Sequence, residues 1–493
     1  MDHSTTKPNF DHRDMPMREL SIDRSAVSDT KEDVLSTHSV ESKEYRAIEK
    51  RLVRKLDLTL VPMLWILYLF NYLDRNNIAQ AKLNTFEKDL NLKGSQFNTA
   101  VSILNVGYML MQLPSNMLLT RVRPSIYLAS WTALWSIISA STAAASNYTH
   151  LIVIRFFLGI AEAPFFPGAM FLLSCYYTRR ELAVRTAILY SGLILATAFS
   201  GLLAAGIFTG LDKKHGLAGW QWLFILEGVG SFAVSIIAMF ILPDFPGSNT
   251  GSCRWLPTEE ERRISADRIQ KDRVNEKKID GSVWTGLSAA VKDPKTWIFT
   301  IMLTMNHSAY GFNNFFPTIV KGMKLGDNTR TLLLTSPPYL LATIIAFCVA
   351  LSSDRRRERG FHIAVPLIFS LVGFVISVVT VNKAARYTAA FLYIGGCFSS
   401  NALVFSWASN TLSQSAEKRA CSTAIINLVS QLGNIWSPYF FPAGDAPRYV
   451  MAFGLMLAST VISMISAGSM KLVLIRTNKK LREAGTVGNL YTL

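Results

Sequence analysis

The chain has 493 residues, of which 50% are hydrophobic and only 17% charged, with a mean hydropathy of +0.26. Soluble domains carry about 25% charged residues, so this composition argues against a soluble enzyme, a nucleic-acid binder and a disordered scaffold, and for a polytopic helical membrane protein. The net charge of +16 would suggest nucleic acid on a soluble protein. On a membrane protein it is the expected accumulation of Lys and Arg in cytosolic loops.

In chain order, residues 1–56 come first. They are polar, of mixed charge, and lack an apolar signal core; Asp11, Asp14, Glu32 and Asp33 make them too acidic for a transit peptide. They read as a disordered cytosolic tail. Apolar runs of about 20 residues follow, the length that crosses a ~30 Å hydrocarbon core. They lie at 58–78, 97–119, 125–145, 151–174, 186–209, 221–242, 297–320, 331–351, 362–381, 387–409, 420–441 and 449–470. Residues 244–295 break the series into six and six. The expected fold is all-α integral membrane, with twelve spans in two six-helix bundles, 57–243 and 296–470, a cytosolic central loop and a cytosolic tail, 471–493. In the loop, Thr258 with Glu261 three residues on has the spacing of a capping box.

An even number of spans puts both termini on one side. With that side taken as the cytosol, Lys and Arg inside outnumber those outside about threefold, as the positive-inside rule requires. The expected state is a monomer. The cysteines, Cys175, Cys253, Cys348, Cys397 and Cys421, show no CxxC and no ligand spacing; they read as small apolar residues.

Charges inside a span cost roughly 2.5–3.5 kcal/mol on insertion scales and mark function by default. Two stand at the end of the first span, Asp74 and Arg75. The apolar stretch 58–73 reaches only about 24 Å, so the helix must continue through them to cross. Tyr68, Asn71, Tyr72 and Arg75 then share one face, which lines a cavity or another helix. The alternative is that Asp74 and Arg75 merely mark the external helix end. The fourth span holds Arg155 and Glu162, two turns apart on one face. Glu162 falls roughly 17 Å below the external end, near the midplane, where snorkelling cannot reach water. An ion pair between Asp74 and Arg155 is expected from their similar depth. A carboxylate in a low-dielectric cavity exchanges a proton near neutral pH, and an Arg beside it grips a carboxylate. One site with both is the minimum apparatus for coupling a proton to an organic anion.

Neutral polar residues also fall in spans: Asn105, Gln112, Asn306, His307, Tyr310, Asn313, Asn314, Asn401, Asn410, Asn427, Gln431 and Asn434. Tyr310 with Asn314, and Asn427 with Gln431 and Asn434, share faces and are the expected polar contacts to substrate. Asn147–Tyr148–Thr149 matches a glycosylation sequon, in a loop too short for ready use.

Two six-helix halves around a charged loop resemble the major facilitator superfamily. Its loop motif is partly present as Ser352–Ser353–Asp354–Arg355–Arg356–Arg357. The first-half copy, Asn116 to Pro124, keeps Arg121 but has Thr120 where the Asp belongs. A closer resemblance is to the anion:cation symporter family, in its fungal allantoate-permease-like branch. It is carried by Asn71–Tyr72–Leu73–Asp74–Arg75–Asn76–Asn77, Leu113–Pro114–Ser115–Asn116, Arg155 to Ala163, and Lys418–Arg419–Ala420. The resemblance implies a conformational charge motif at Arg121, Asp354 and Arg355. It implies proton coupling at Glu162 and Asp74, substrate contact at Arg75, and a charge network supported by Arg155.

The expected function is proton-coupled import of a small organic anion, a carboxylate, by alternating access. The partners are the anion, protons and lipid, with no nucleic acid; no cofactor beyond the proton gradient is expected. Proton-antiport efflux is the first alternative. Efflux carriers typically carry G-x-x-x-G-P-x-x-G-G in the fifth span, whereas Ser191 to Gly201 has no Pro. A non-transporting nutrient receptor is the second. Enzyme motifs such as HExxH and GxSxG are missing from the sequence.

Overall fold

The computed structural model describes residues 24–119, 122–246, 258–274, 283–483 and 490–492. These fall into two units, Met1–Arg51 and Leu52–Leu493. The first contributes the opening turns of α1 (Arg24–Ala81). The second contains α2 (Phe86–Asp89), α3 (Gln96–Leu119), α4 (Pro124–Ser141), α5 (Tyr148–Glu162), α6 (Phe165–Tyr176), α7 (Arg179–Leu211) and α8 (Gly219–Ile241). After the central loop come α9 (Glu259–Val274), α10 (Val283–Lys292), α11 (Pro294–Ala309), α12 (Phe316–Gly322), α13 (Asn328–Arg356), α14 (Gly360–Val379), α15 (Lys383–Thr411), α16 (Ala416–Trp436) and α17 (Val450–Glu483). No strand occurs among the described residues.

Each expected apolar run falls on a helix or a broken pair of helices. Among the described residues, eight helical segments are long and apolar enough to cross a membrane. The others, α3, α4, α16 and the α11–α12 pair, carry Ser, Asn or Gln on inward faces or are interrupted. The fourth run breaks between α5 and α6 at Pro164, whose ring lacks the N–H that an uninterrupted helix needs. The seventh breaks in a 3₁₀ turn, Tyr310–Asn314.

One expectation is corrected here. Residues 24–56, read as disordered tail, are helical. The cause is visible in part: Leu52, Leu56, Leu60 and Leu64 recur every four residues and are all buried. Residues 1–23 lie outside the described residues, as do Cys253 and Arg121. The sequon Asn147 is the N-cap of α5, its side chain accepting from the His150 N–H at 2.9 Å. Cys348 is exposed, whereas Cys175 and Cys397 are buried as read.

The capping box forms as spaced: the Thr258 N–H donates to Glu261 Oε2 at 2.9 Å and the Glu261 N–H to Thr258 Oγ1 at 3.3 Å. Glu261 also holds Lys55 at 2.8 Å, and Arg268 bridges to Glu181 at 2.6 Å. These bonds clamp α9 to the middle of α1 and the first turn of α7.

In the first half, α3 packs on α5 and α4 on α8; in the second, α14 packs on α15 and α11 on α16 and α17. The α3–α5 contact is backbone on backbone. A Cβ at Gly107 would meet the carbonyl oxygen of Phe156, and one at Gly159 that of Leu104. The halves meet through α7 with α13 and α3 with α16. The bonds between them gather at the end where α1 finishes. Ser336 Oγ donates to the Ala198 carbonyl, Ser102 Oγ to that of Ile435, and Asn328 to that of Leu83. Phe97 meets Phe315 edge-on with centroids 5.8 Å apart, and Lys82 lies 5.3 Å over the Phe315 ring.

Two predictions follow from this packing. Gly159→Val should lower the melting temperature by the equivalent of about 1–3 kcal/mol or more. Gly206→Ala, where nothing lies within 4 Å, should leave it unchanged or slightly raised; equal effects would refute the close-contact account. The second concerns Asp293, which pairs with Lys418 at 2.6 Å at the base of α11. Partial burial pushes its carboxyl up, but the Lys418 ammonium and the Lys295 N–H outweigh that and hold it below the usual range. A depressed carboxylate stabilises above its unfolded value of about 3.9 and loses that contribution as pH falls through the folded value. The melting-temperature gap between wild type and Asp293→Asn should therefore be steady near neutrality and close in stronger acid.

Candidate functional site

A cavity of about 180 Å³ lies between the two halves, beyond their closed end. From the first half it is lined by the Tyr68–Asn71–Tyr72–Arg75 face of α1, by Asn105 and Tyr108 on α3, and by Arg155 and Glu162 on α5. From the second half come His307, Tyr310, Asn313 and Asn314 around the α11 break, Phe398 and Asn401 on α15, and Asn427, Gln431 and Asn434 on α16. The α1 face arises because residues three, four and seven apart fall in line on a helix.

The cavity's charges are arranged around Arg75. Its Nε donates to Glu162 Oε2 at 2.5 Å, joining α1 to the last residue of α5. Its guanidinium lies 4.6 Å over the Tyr108 ring and 5.3 Å over Tyr72, which adds cation–π attraction. Arg155 is buried, with Nε donating to the Ala100 carbonyl at 3.3 Å. Its Nη1 has no hydrogen-bond partner, and neither has Glu162 Oε1. The wall therefore presents an unused cationic donor and an unused carboxylate oxygen. Glu162 is completely buried and Arg75 keeps 17% side-chain exposure toward the cavity.

On the opposite wall the polar groups are largely engaged. The Tyr310 hydroxyl donates to the Cys397 carbonyl at 3.2 Å. His307 Nδ1 is bonded to the Ser430 carbonyl at 3.0 Å. Asn434 donates to Gln431 Oε1 at 2.9 Å. Three bonds between described cavity residues join the halves: Asn401 donates to the Tyr190 hydroxyl at 3.3 Å, Asn313 to Asn76 at 3.5 Å and Asn105 to the Asn434 carbonyl at 3.4 Å.

A helical fold with two halves around a polar cavity is the setting in which the comparisons belong. The family model of the Major Facilitator Superfamily matches residues 64–438. The chain belongs to the major facilitator superfamily. The major facilitator-type transporter hxnP of Emericella nidulans is 35% identical over 416 residues, 82% of this chain and 81% of that one. The MFS-type transporter cnsO of Penicillium expansum is 32% identical, over 88% and 85%. A bacterial homologue of the human lysosomal transporter Spinster, crystallised inward-facing and unoccupied, shares the fold at a TM-score of 0.64 and 16% identity. The match covers 84% of this chain and 96% of that one. The protein is thus a multi-pass membrane transporter of this superfamily, not an enzyme.

The structure brings Arg75, Arg155, Glu162, Tyr310, Asn314, Asn427 and Gln431 to one superfamily cavity. Asp74 is not there. Consecutive helix residues point about 100° apart, so with Arg75 in the cavity Asp74 faces α4 and α8. Its Oδ1 accepts from Ser139 Oγ at 2.8 Å and its Oδ2 from Ser231 Oγ at 2.9 Å. The expected Asp74–Arg155 ion pair is therefore replaced by a pair between their neighbours, Arg75 and Glu162. In the second-half loop motif, Asp354 bonds Arg359 at 2.5 Å while Arg355 is exposed. Sequence reasoning missed Tyr108, Tyr190 and Phe398 in the cavity. Tyr108 follows Asn105 by three residues on the same helix face and was accessible to the spacing argument.

Breaking a buried ion pair from one side strands the other charge, at about 3–5 kcal/mol. Arg75→Ala should destabilise strongly, and Arg75→Ala with Glu162→Ala should cost less than the sum of the two single changes. A thermal double-mutant cycle on purified protein checks this; strict additivity would mean the two groups do not interact.

Proposed function

We propose that this transporter carries a small organic anion, a carboxylate, together with a proton, and that it acts as an importer at the plasma membrane with both termini cytosolic. The single observation that carries the reading is the Arg75–Glu162 pair at the cavity wall beside the unpartnered Nη1 of Arg155. An anion entering the cavity meets two guanidinium groups, one of them already occupied by a carboxylate of the protein. A substrate carboxylate and Glu162 compete for the same cation. Protonation of Glu162 neutralises the competitor and frees Arg75 to form the forked two-bond grip that guanidinium makes with carboxylates. Loss of that proton on the cytosolic side restores the internal pair and expels the anion. Asp74 enters through its position next to Arg75 on α1 rather than by touching substrate.

The cavity volume suits a compact molecule, and the rings of Tyr68, Tyr72, Tyr108, Phe166 and Phe398 around it suit a flat or aromatic carboxylate. The closure of the halves at the end where α1 finishes, which positive-inside bias assigns to the outside, supports an inward-facing state. Rocking of the halves around the cavity then gives access from the other side. The motif residues Asp354 and Arg355, at the end of α13, belong to the cytosolic side in this reading.

The test is uptake into proteoliposomes from a panel of labelled carboxylates, with and without an inward proton gradient. Wild type should accumulate its substrate against a gradient only when protons are supplied. Glu162→Gln should abolish that accumulation while still exchanging substrate across the membrane. Arg75→Ala should lose binding, and Arg75→Lys should recover little of it, because an ammonium cannot reproduce the planar fork. Full uphill uptake by Glu162→Gln would sink the coupling role.

A further inference from the structure

A second group of buried polar residues sits on the far side of α1 from the cavity, where α1 meets α4 and α8. At its centre are two carboxyls, Asp74 on α1 and Glu227 on α8. Glu227 is the one charged residue of α8. It is 5% exposed, and neither of its carboxyl oxygens has a hydrogen-bond partner. It lies one turn from Ser231, which donates to Asp74, and it faces Asp74 and Asn77. Asn77 lies one turn along α1 from Asp74; it is completely buried and both its side-chain atoms are unpartnered. The unpartnered indole Nε1 of Trp135 on α4 points at Asp74.

The donors decide the charge states. Asp74 accepts from two serine hydroxyls, one on each carboxyl oxygen. This is the environment of an ionised carboxylate. Glu227 has no such shell. Beside it stands the Asn77 amide, whose Nδ2 and Oδ1 are both unpartnered. An ionised Glu227 would strand the amide oxygen of Asn77 facing a carboxylate, with two buried anions side by side. A protonated Glu227 satisfies everything: its O–H donates to Asn77 Oδ1, and its other oxygen accepts from Asn77 Nδ2. Four orphaned atoms, two on each side chain, then pair in one closed ring of two hydrogen bonds. An unpaired polar atom is costly to bury, so this closure is favoured.

Charge balance points the same way. Arg75 and Arg155 are offset by Asp74 and Glu162 across α1 and α5, while α4 carries no charged residue and α8 none but Glu227. A charged Glu227 would be a buried anion with no cation to answer it.

We propose that Glu227 is a standing proton-binding residue, held as the neutral acid by Asn77 in a site behind Asp74. The site is separate from the substrate cavity and does not depend on what the cavity carries.

Infrared spectroscopy of the purified transporter in lipid tests this without any substrate. At neutral pH, the difference spectrum of wild type against Glu227→Gln should show the loss of one protonated-carboxyl C=O band. Glu227→Gln should melt with wild type, since an amide forms the same ring with Asn77. Asn77→Val, with Glu227 intact, should shift that band to higher frequency as its hydrogen bonds are lost. Absence of a protonated-carboxyl band that depends on Glu227, or a band indifferent to Asn77→Val, overturns the proposal. Strong destabilisation by Glu227→Gln overturns it as well, because it shows that the charge itself is needed. A failure of anion transport would leave all three results unaffected.

Discussion

A membrane interior supplies no water to a charge, so each buried charge has to meet its opposite within the protein. The pairing of Arg75 with Glu162 is the clearest result of that constraint, and much of the first half is arranged around it. It ties α1 to the last residue of α5. Two residues on, Pro164 interrupts the helix, so irregular backbone occurs beside the cavity rather than against lipid. The 3₁₀ turn Tyr310–Asn314 does the same on the opposite wall. Non-helical backbone at membrane depth is tolerated where it lines a cavity, and both breaks obey that rule.

The same constraint explains the small residues. For α5 to carry Glu162 up to Arg75, it must lie directly on α3, and the glycines at 107 and 159 let the two backbones touch. Small residues at helix interfaces are the usual means of such approach in membranes. On the other side of α1, Ser139 and Ser231 are short enough to reach Asp74 without separating α4 and α8. Gly228 lies against the Ser136 carbonyl at what would be 2.9 Å from a Cβ. Helix spacing and polar satisfaction are thus one design problem, solved at two faces of a single helix.

The spans were legible in the sequence because a run of about 20 apolar residues has few other readings. The cavity was largely legible too, because polar residues in such runs are rare and helix spacing assigns them to faces. The pairing of charges was not. Asp74 and Arg75 are neighbours in sequence and at nearly equal depth, so depth cannot say which faces the fourth span. Helix rotation decides it, and rotation is set by how α1 packs against its neighbours. Glu227 was legible and overlooked: as a lone charge in an apolar run it met the criterion that singled out Glu162. The helical stretch 24–56 was masked by its polarity, since mixed Lys, Arg and Glu favour a solvated helix as readily as a disordered tail.

On the proposed reading, proton coupling follows from the few charges buried here: Arg75, Arg155 and Glu162 at the cavity and Asp74 behind it leave this part of the first half neutral as it stands. Adding a substrate carboxylate makes it an anion buried in a low-dielectric site, which is unfavourable unless a proton accompanies it. On that reading, the proton acts on the carboxylate that competes with the substrate for Arg75, which is Glu162. On the proposed reading, one proton per anion is the stoichiometry that keeps the half neutral in both loaded and empty states. Neutrality also suits the rocking step, since a cavity that closes over a net charge must dehydrate it. Each fully loaded or fully empty state can then close, and the states with a proton or an anion alone cannot do so as easily.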